Sequence, residues 1–134
     1  MVVDTSALLA ILLGEPERHE YIELLAAADD PLISAATLVE ASIVMQARTG
    51  DEGVRDLDDL LAVAGVRPVA VDADQAVLAR QAFVRSGKAR SPAGLNFGDC
   101  FAYALARAMD RSLLFKGEDF AQTDVDAAAA RPPR

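Results

Sequence analysis

The sequence predicts an α/β domain in which a short, mostly parallel sheet is covered on both faces by helices. Three observations predict this class. Short apolar runs typical of buried strands alternate with one or two helical segments, and parallel strands require such crossovers. The length of 134 residues suits one domain. A hydrophobic content of 52% with only 5% aromatic residues is sufficient for an aliphatic core.

The strands are predicted from apolar runs that are bounded by turn residues. They are Met1–Asp4, Leu32–Ser34, Arg67–Val71 and Ser112–Phe115. Each connection between consecutive strands contains at least one helical segment, so the crossovers are expected to be right-handed. The sequence shows no internal repeat and no linker, which favours a single sheet in a single domain.

The helices are predicted from apolar spacing and from residues that begin or end a helix. Thr5 or Ser6 is expected to cap the first helix, and Asp72 to cap the helix after the third strand. Gly50 suits the position just after a helix end. The predicted helices are 5–13, 17–27, Ala35–Arg48, Asp51–Ala64, 73–85 and Phe97–Met109.

The remaining segments are predicted to lack regular structure. Ser86–Leu95 is a polar loop with Gly and Pro, and Gly117–Phe120 is a tight turn after the last strand. The single domain is expected to cover residues 1–126, and the tail over 127–134 is expected to fray.

The composition excludes several classes of protein. No apolar run reaches the roughly 18 residues of a membrane span. The apolar start contains Asp4 and lacks a basic leader, so we expect no signal peptide. A single cysteine, Cys100, allows no internal disulfide and suits the reducing cytoplasm, which is the expected location.

The net charge is −8, but it is unevenly distributed. Residues 51–59 contain five acids and one base, whereas residues 80–116 contain seven bases and two acids. An acidic protein of this kind can still present a basic surface to phosphate groups. Scattered arginines on solvated helix faces are the alternative explanation.

Four carboxylates stand at positions that a surface role explains poorly. Asp4 and Asp119 follow the first and last predicted strands, and reactive sites of open parallel sheets lie at the carboxyl ends of strands. Glu40 projects from an otherwise apolar helical stripe, and Asp99 lies in the first turn of its helix on the apolar side. Each has an ordinary alternative: a cap or turn for Asp4 and Asp119, an arginine salt bridge for Glu40, and the helix dipole for Asp99.

Together, the four acids are expected at one edge of the sheet. Two unit charges about 4 Å apart repel by roughly 4 kcal/mol at an effective dielectric constant near 20, so the cluster needs protons or a divalent cation. Oxygen ligands without histidine or cysteine select Mg²⁺ or Mn²⁺. The one histidine, His19, lies among glutamates on a predicted helix and is expected at the surface.

Four segments together resemble the VapC toxins, which are PIN-domain ribonucleases of type II toxin–antitoxin systems. They are VVDTSAL (Val2–Leu8), ATLVEA (Ala36–Ala41), NFGDCFAYALA (Asn96–Ala106) and LLFKGEDFAQTD (Leu113–Asp124). The resemblance spans almost the whole chain, and the last two segments are the most specific. It implies a PIN-like three-layer α/β/α sandwich and a toxic, metal-dependent endoribonuclease that hydrolyses RNA phosphodiester bonds.

The resemblance also implies the residues of the site. The catalytic and metal-binding acids of the family correspond here to Asp4, Glu40, Asp99 and Asp119, with Mg²⁺ or Mn²⁺ as the cofactor. Glu118 is the alternative to Asp119, and the family pattern GxDF favours Asp119.

Other polar residues are expected to support this site. The hydroxyl of Thr5 or Ser6 would support the metal or its water, and Asn96 is either a helix cap or an additional ligand, with the cap favoured. Lys88 and Arg90 in the polar loop are candidates to contact RNA phosphates, or else simply keep the loop soluble.

The resemblance further implies protein partners. A VapB antitoxin would cover the acidic cleft with its C-terminal segment, and one of its arginines could pair with the carboxylates. A homodimer and a higher toxin–antitoxin assembly are expected, with DNA contacted only indirectly through the antitoxin and no membrane involved. The aliphatic helices within 17–64 are candidate dimer surfaces or simply core.

Other enzyme classes fit less well. A phosphotransfer receiver domain needs an acidic pair near the first strand, but Asp4 stands alone, and Asp72 looks like a helix cap rather than a phosphate acceptor. A haloacid-dehalogenase phosphatase needs an acid where this chain has Ser6. Two alternatives stay open: a PIN-like nuclease that acts on DNA, and an inactive PIN-like binding module, against which the four acids argue.

Overall fold

The structure is a computed structural model that describes residues 1–87, 94–121 and 123–129. Within these residues the chain forms one four-stranded sheet and five helices. The strands are β1 (Val2–Val3), β2 (Leu32–Ser34), β3 (Arg67–Val69) and β4 (Leu113–Leu114). The helices are α1 (Thr5–Leu12), α2 (Arg18–Ala27), α3 (Ala35–Ala64), α4 (Ala73–Ser86) and α5 (Phe97–Ala108).

The sheet is parallel throughout and has the strand order β3-β2-β1-β4. Successive residues of a strand face opposite sides of a sheet, so each strand contributes to two cores. One core packs the sheet against α4 and α5, and the other packs it against α1, α2 and α3. The predicted three-layer α/β/α sandwich is therefore confirmed.

The start of α1 differs from the prediction. Asp4, rather than Thr5 or Ser6, is the capping residue, and its carboxylate accepts a hydrogen bond of 3.0 Å from the backbone N–H of Ser6. Asp4 has the extended backbone that a cap requires, whereas Thr5 is already helical. The consequence is that the last residue before the helix is also the first acid beyond β1.

Helix α3 contains the break that was predicted at Gly50. This glycine has φ 70° and ψ −158°, so two helical segments meet there at a kink. The acidic residues of 51–59 lie on the second segment and are exposed. The third strand is shorter than predicted, because its pairing with β2 ends where Ser34 meets Val69.

Residues after β4 return to the sheet. The backbone N–H of Leu113 donates to the carbonyl of Asp126 over 2.8 Å, and the N–H of Ala128 donates to the carbonyl of Leu113 over 2.9 Å. The prediction of a tail frayed from residue 127 is wrong for 127–129, since Ala128 and Ala129 pack on the core. Residues 130–134 lie outside the described residues. Among the helices described, none is long and apolar enough to cross a membrane.

Candidate active site

The four predicted acids lie on elements that meet at the carboxyl edge of the sheet. Asp4 directly follows β1, and Asp119 lies in the turn after β4. Glu40 is in the second turn of α3, which begins where β2 ends, and Asp99 is in the first turn of α5. The parallel topology explains this arrangement, because α5 runs antiparallel to the strands and so begins at their carboxyl edge.

Asp4 is buried, with 2% of its surface exposed. Its Oδ2 accepts hydrogen bonds from the backbone N–H and the hydroxyl of Ser6, at 3.0 and 2.6 Å. Its Oδ1 is also buried but has no hydrogen-bond partner among the described residues. Burial raises the pKa of Asp4 to about 6; the bonds from Ser6 oppose this shift, and the charge of Glu40 adds to it. A buried carboxylate oxygen requires a proton donor or a cation, and within the described ranges no side chain or backbone group donates to this one.

Asp99 and Asn96 form a reciprocal cap at the start of α5. The side chain of Asn96 accepts from the N–H of Asp99 over 2.9 Å, and Oδ2 of Asp99 accepts from the N–H of Asn96 over 3.0 Å. The preferred prediction of Asn96 as a helix cap is confirmed. Asp99 is buried, and burial is the main cause that raises its pKa to about 7. The charges of Asp4, Asp119 and Glu40 raise this pKa further, so each of these three acids lies within electrostatic reach of Asp99.

The Glu40 carboxylate accepts a hydrogen bond from a hydroxyl and lies close to the backbone of a glycine. Its Oε1 accepts a hydrogen bond of 2.6 Å from the Thr5 hydroxyl. Its Oε2 lies 1.7 Å from where a Cβ would stand on Gly98, so any other residue at position 98 would displace the carboxylate from this position. None of the ion pairs between described residues involves Glu40, and the alternative of an arginine salt bridge is not realised within that part of the chain.

Gly98 was not among the residues predicted from the sequence. A signal was available, since glycine weakens a helix by about 1 kcal/mol relative to alanine and yet stands here in the first turn of α5. A glycine next to a candidate acid indicates that another group approaches the backbone closely. Here that group is the carboxylate of Glu40.

The turn after β4 carries Asp119 and Glu118, and both are exposed. The carbonyl of Glu118 accepts from the N–H of Ala121 over 3.0 Å, which closes the turn. Asp119 is among the charges that raise the pKa of Asp99. This electrostatic contact favours Asp119 as the fourth acid, and its role stays a prediction.

A hydrogen-bonded chain joins this turn to Asp4. The backbone N–H of Lys116 donates to the Ser6 hydroxyl over 2.9 Å, and that hydroxyl donates to Asp4. The ammonium group of Lys116 pairs with Glu15 and Glu17, the second at 3.1 Å. No local pattern in the sequence indicates these contacts, because they join residues about a hundred positions apart.

The acids do not form a ready-made metal centre. Within residues 1–87, 94–121 and 123–129, no three His, Cys, Asp or Glu side chains are gathered closely enough to hold a metal ion. Like charges favour such separation, and Thr5 and Asn96 each hold one carboxylate in place. The donor set is nonetheless entirely oxygen, as Mg²⁺ and Mn²⁺ prefer. Lys88 and Arg90 lie outside the described residues, so their RNA-binding role stays a prediction.

An apolar groove of about 480 Å³ runs between α3 and α5 beside Glu40. Phe97 is 79% exposed and Ile43 is 64% exposed, although both are large apolar side chains. The apolar residues that line the groove are Ala36, Val39, Ile43, Val44, Phe97 and Phe101. Contiguous exposed apolar surface of this kind is typical of a site that contacts another protein.

Comparison with known proteins identifies the family. The PIN domain family matches residues 1–126. A ribonuclease VapC from Mycolicibacterium smegmatis is 55% identical over 131 residues, covering 95% of this chain and 98% of the relative. Ribonuclease VapC30 from Mycobacterium tuberculosis is 48% identical over 129 residues, covering 96% of this chain and 98% of the relative.

Solved structures show the same fold. VapC20 from Mycobacterium tuberculosis, described as a toxin that cleaves the sarcin-ricin loop, has a TM-score of 0.77 at 22% identity over 98% of both chains. VapBC2 from Rickettsia felis, solved with a DNA fragment from its promoter, has a TM-score of 0.72 at 16% identity over 94% of both chains. With the family match and the identities above, the chain belongs to the PIN-domain family and, within it, to the VapC ribonucleases.

Proposed function

We propose that this chain is a toxic endoribonuclease that depends on Mg²⁺ or Mn²⁺ and is neutralised by a VapB antitoxin. One observation carries the metal-dependent part: Oδ1 of Asp4 is buried without a partner among the described residues, beside Asp99, whose pKa is raised to about 7. A pair of buried acids in this condition is stabilised by a divalent cation. The relatives described above, named as ribonucleases, support RNA as the substrate.

Asp4 and Asp99 would be the principal ligands of the cation, with Glu40 and Asp119 completing its shell directly or through water. When bound, the cation would neutralise charge on the scissile phosphate and make a nearby water more acidic. Ser6 would keep Oδ2 of Asp4 occupied and leave Oδ1 for the cation. Thr5 would fix the Glu40 carboxylate.

The chain itself would orient the reaction. Burial of Asp4 and Asp99 excludes bulk water and would strengthen the attraction between their charges and the cation. Attack of water on phosphorus would form one P–O bond and break the bond to the 3′ oxygen, which leaves as a hydroxyl. The products would carry 5′-phosphate and 3′-hydroxyl ends.

The antitoxin is proposed from the groove and from a neighbouring structure. A structure from Klebsiella pneumoniae described as a toxin–antitoxin complex has a TM-score of 0.69 at 18% identity, over 96% of this chain and 97% of that chain. In this chain the apolar groove lies beside Glu40, so a peptide segment bound there would also cover the acids. A homodimer is part of the same proposal.

Cleavage of RNA by the purified chain tests the function. Wild type is expected to cut total cellular RNA with Mg²⁺ or Mn²⁺ and to stop when EDTA is added. Asp99→Asn is expected to lose at least about 100-fold in rate. Asp110→Asn is the matched control, because Asp110 is an exposed acid just beyond α5 and asparagine tolerates its φ of 50°.

Equal rates for Asp99→Asn and wild type would overturn the proposed mechanism. Single-stranded DNA of the same sequence serves as a second substrate. Cleavage of that DNA without cleavage of RNA would identify the DNA nuclease alternative instead. Mapping the cut sites and the chemistry of the ends would define the target RNA.

A further inference from the structure

The side chain of Asp119 is exposed and is not held by a hydrogen bond or an ion pair within the described part of the chain. Its position therefore depends on the residues that fix the backbone on either side, which are the buried Phe120 after it and Lys116 before it. Gly117 has φ +96°, so the chain turns sharply between β4 and Asp119.

Lys116 immediately precedes this turn, and both its backbone and its side chain make contacts with other parts of the chain. Its backbone N–H bonds to the Ser6 hydroxyl, which in turn bonds to Asp4. Its ammonium group pairs with Glu15 and Glu17, which lie on the connection between α1 and α2. The same residue thus contacts the support of the first acid and precedes the fourth acid by three positions.

The ammonium group of Lys116 pairs with carboxylates other than the four acids of the site. Among the described residues it has two such partners. Both partners are only about one-third exposed, as is Lys116 itself. A lysine next to an acidic site would otherwise compete with a cation for the carboxylates.

We propose that Lys116, through its ion pairs with Glu15 and Glu17, is a positioning residue that fixes the Asp119 turn and the Ser6 hydroxyl. It is not a catalytic residue, since it reaches Asp4 only through Ser6. This inference rests on the proposed function, because it concerns the cation site assigned there. Removal of the ion pairs therefore lowers cation affinity and turnover and leaves affinity for RNA unchanged.

Mn²⁺ titration by calorimetry without RNA tests the positioning role. Lys116→Met is expected to weaken Mn²⁺ binding by about fivefold, the size of a strong partly exposed ion pair. Lys116→Arg is expected to retain wild-type affinity. Arg67→Met is the matched control, since Arg67 forms an ion pair of 3.0 Å with Asp30 at the opposite edge of the sheet.

Two further variants remove or reverse the same contacts. Glu15→Gln combined with Glu17→Gln removes both ion-pair partners of Lys116. This double variant is expected to weaken Mn²⁺ binding as much as Lys116→Met does. It provides the same test if Lys116→Met does not fold. Reversal of all three charges, with Lys116→Glu, Glu15→Lys and Glu17→Lys, is expected to restore part of the affinity. No restoration would overturn the pairing.

Steady-state kinetics separate positioning from direct RNA contact. A positioning residue lowers kcat in Lys116→Met, whereas a phosphate-binding lysine raises KM and leaves Mn²⁺ affinity unchanged. The second result would overturn the proposal. The Mn²⁺ affinity of Asp99→Asn is measured in parallel. If Asp99→Asn binds Mn²⁺ like wild type, the proposed function is wrong. If Lys116→Met binds Mn²⁺ like wild type and Asp99→Asn does not, only the positioning role of Lys116 is wrong.

Discussion

Thr5 and Glu40, which are 35 residues apart in sequence, are joined by a hydrogen bond of 2.6 Å from the threonine hydroxyl to the carboxylate. The bond connects the first turn of α1 to the second turn of α3. Thr5 itself is buried, so the donor has few alternative partners. Thr5, in the turn of α1 that directly follows Asp4, therefore orients the Glu40 carboxylate.

Replacement of Thr5 by valine removes this donor at nearly constant shape. We expect Thr5→Val to destabilise the fold by about 1 kcal/mol and to lower RNA cleavage about tenfold, because a charged acceptor loses its hydrogen bond. Thr5→Ser keeps the hydroxyl and is expected to stay near wild type. Urea denaturation and initial cleavage rates measure the two effects, and equal rates for the valine and serine variants would contradict the role of the bond.

Gly98→Ala tests the close approach of Glu40 to α5. The new methyl group would collide with the end of the Glu40 side chain, which must move away. The helix itself gains up to about 1 kcal/mol from alanine. We therefore expect unchanged or slightly higher thermal stability together with a loss of up to about 100-fold in cleavage, since displacement by about 1 Å can have this effect.

The control for Gly98→Ala is the double variant with Glu40→Gln. If the methyl group acts by displacing Glu40, adding it to a Glu40→Gln chain lowers the cleavage rate little further. Full additivity of the two losses would show that Gly98 acts by another route.

Ser6→Ala removes the hydroxyl that donates to Asp4 and accepts from Lys116. Hydrogen bonds to a carboxylate stabilise its charged form, so the pKa of Asp4 rises further above its ordinary value. Mn²⁺ affinity is expected to fall, and to fall more at pH 6 than at pH 8. Ser6→Thr retains the hydroxyl as the matched control. A loss that does not depend on pH would contradict this explanation.

The raised pKa values of Asp4 and Asp99 predict how the metal-free protein responds to pH. Their ordinary value is 3.8, and burial raises them to about 6 and about 7. The folded state therefore binds more protons than the unfolded state between about pH 4 and pH 7. The free energy of unfolding must fall as pH rises through this window, by about 1.4 kcal/mol for each tenfold difference in proton affinity between the two states.

Denaturation in EDTA at pH 5 and pH 8 measures this loss. Asp99→Asn lacks one of the two acids, so its stability is expected to change less between these pH values than that of wild type. Added Mn²⁺ is expected to restore stability at pH 8 in wild type and not in Asp99→Asn. An identical pH response of the two proteins would contradict the assignment.

Local patterns in the sequence were sufficient for most of the fold. The short apolar runs identified the four strands, and the caps Asp72 and Asn96 were found from residue type and position. The first cap was wrong because Asp4, Thr5 and Ser6 are three successive capping residues. Only the end of β1, where Asp4 pairs with β4 through a backbone bond of 3.0 Å, decides among them.

The acids of the candidate site could be proposed from the sequence, whereas most of the residues that contact them could not. Asp4, Glu40 and Asp99 were proposed because charge at strand ends or on apolar stripes needs an explanation. The contacts of Lys116 with Glu15 and Ser6 could not be found, since nothing in a local pattern pairs residues from opposite ends of a chain. Gly98 is an intermediate case. Its unusual position in a helix could be recognised in the sequence, but the nearby carboxylate of Glu40 could not.

The pairing of residues 126–128 with Leu113 has a consequence for how the molecule is handled. A sheet edge with unsatisfied backbone groups invites a second molecule to add its own strand. Here the chain closes that border of the sheet with its own later residues. A truncation before Asp126 would open the border, and such a shortened protein would precipitate or form oligomers even though all four acids remained.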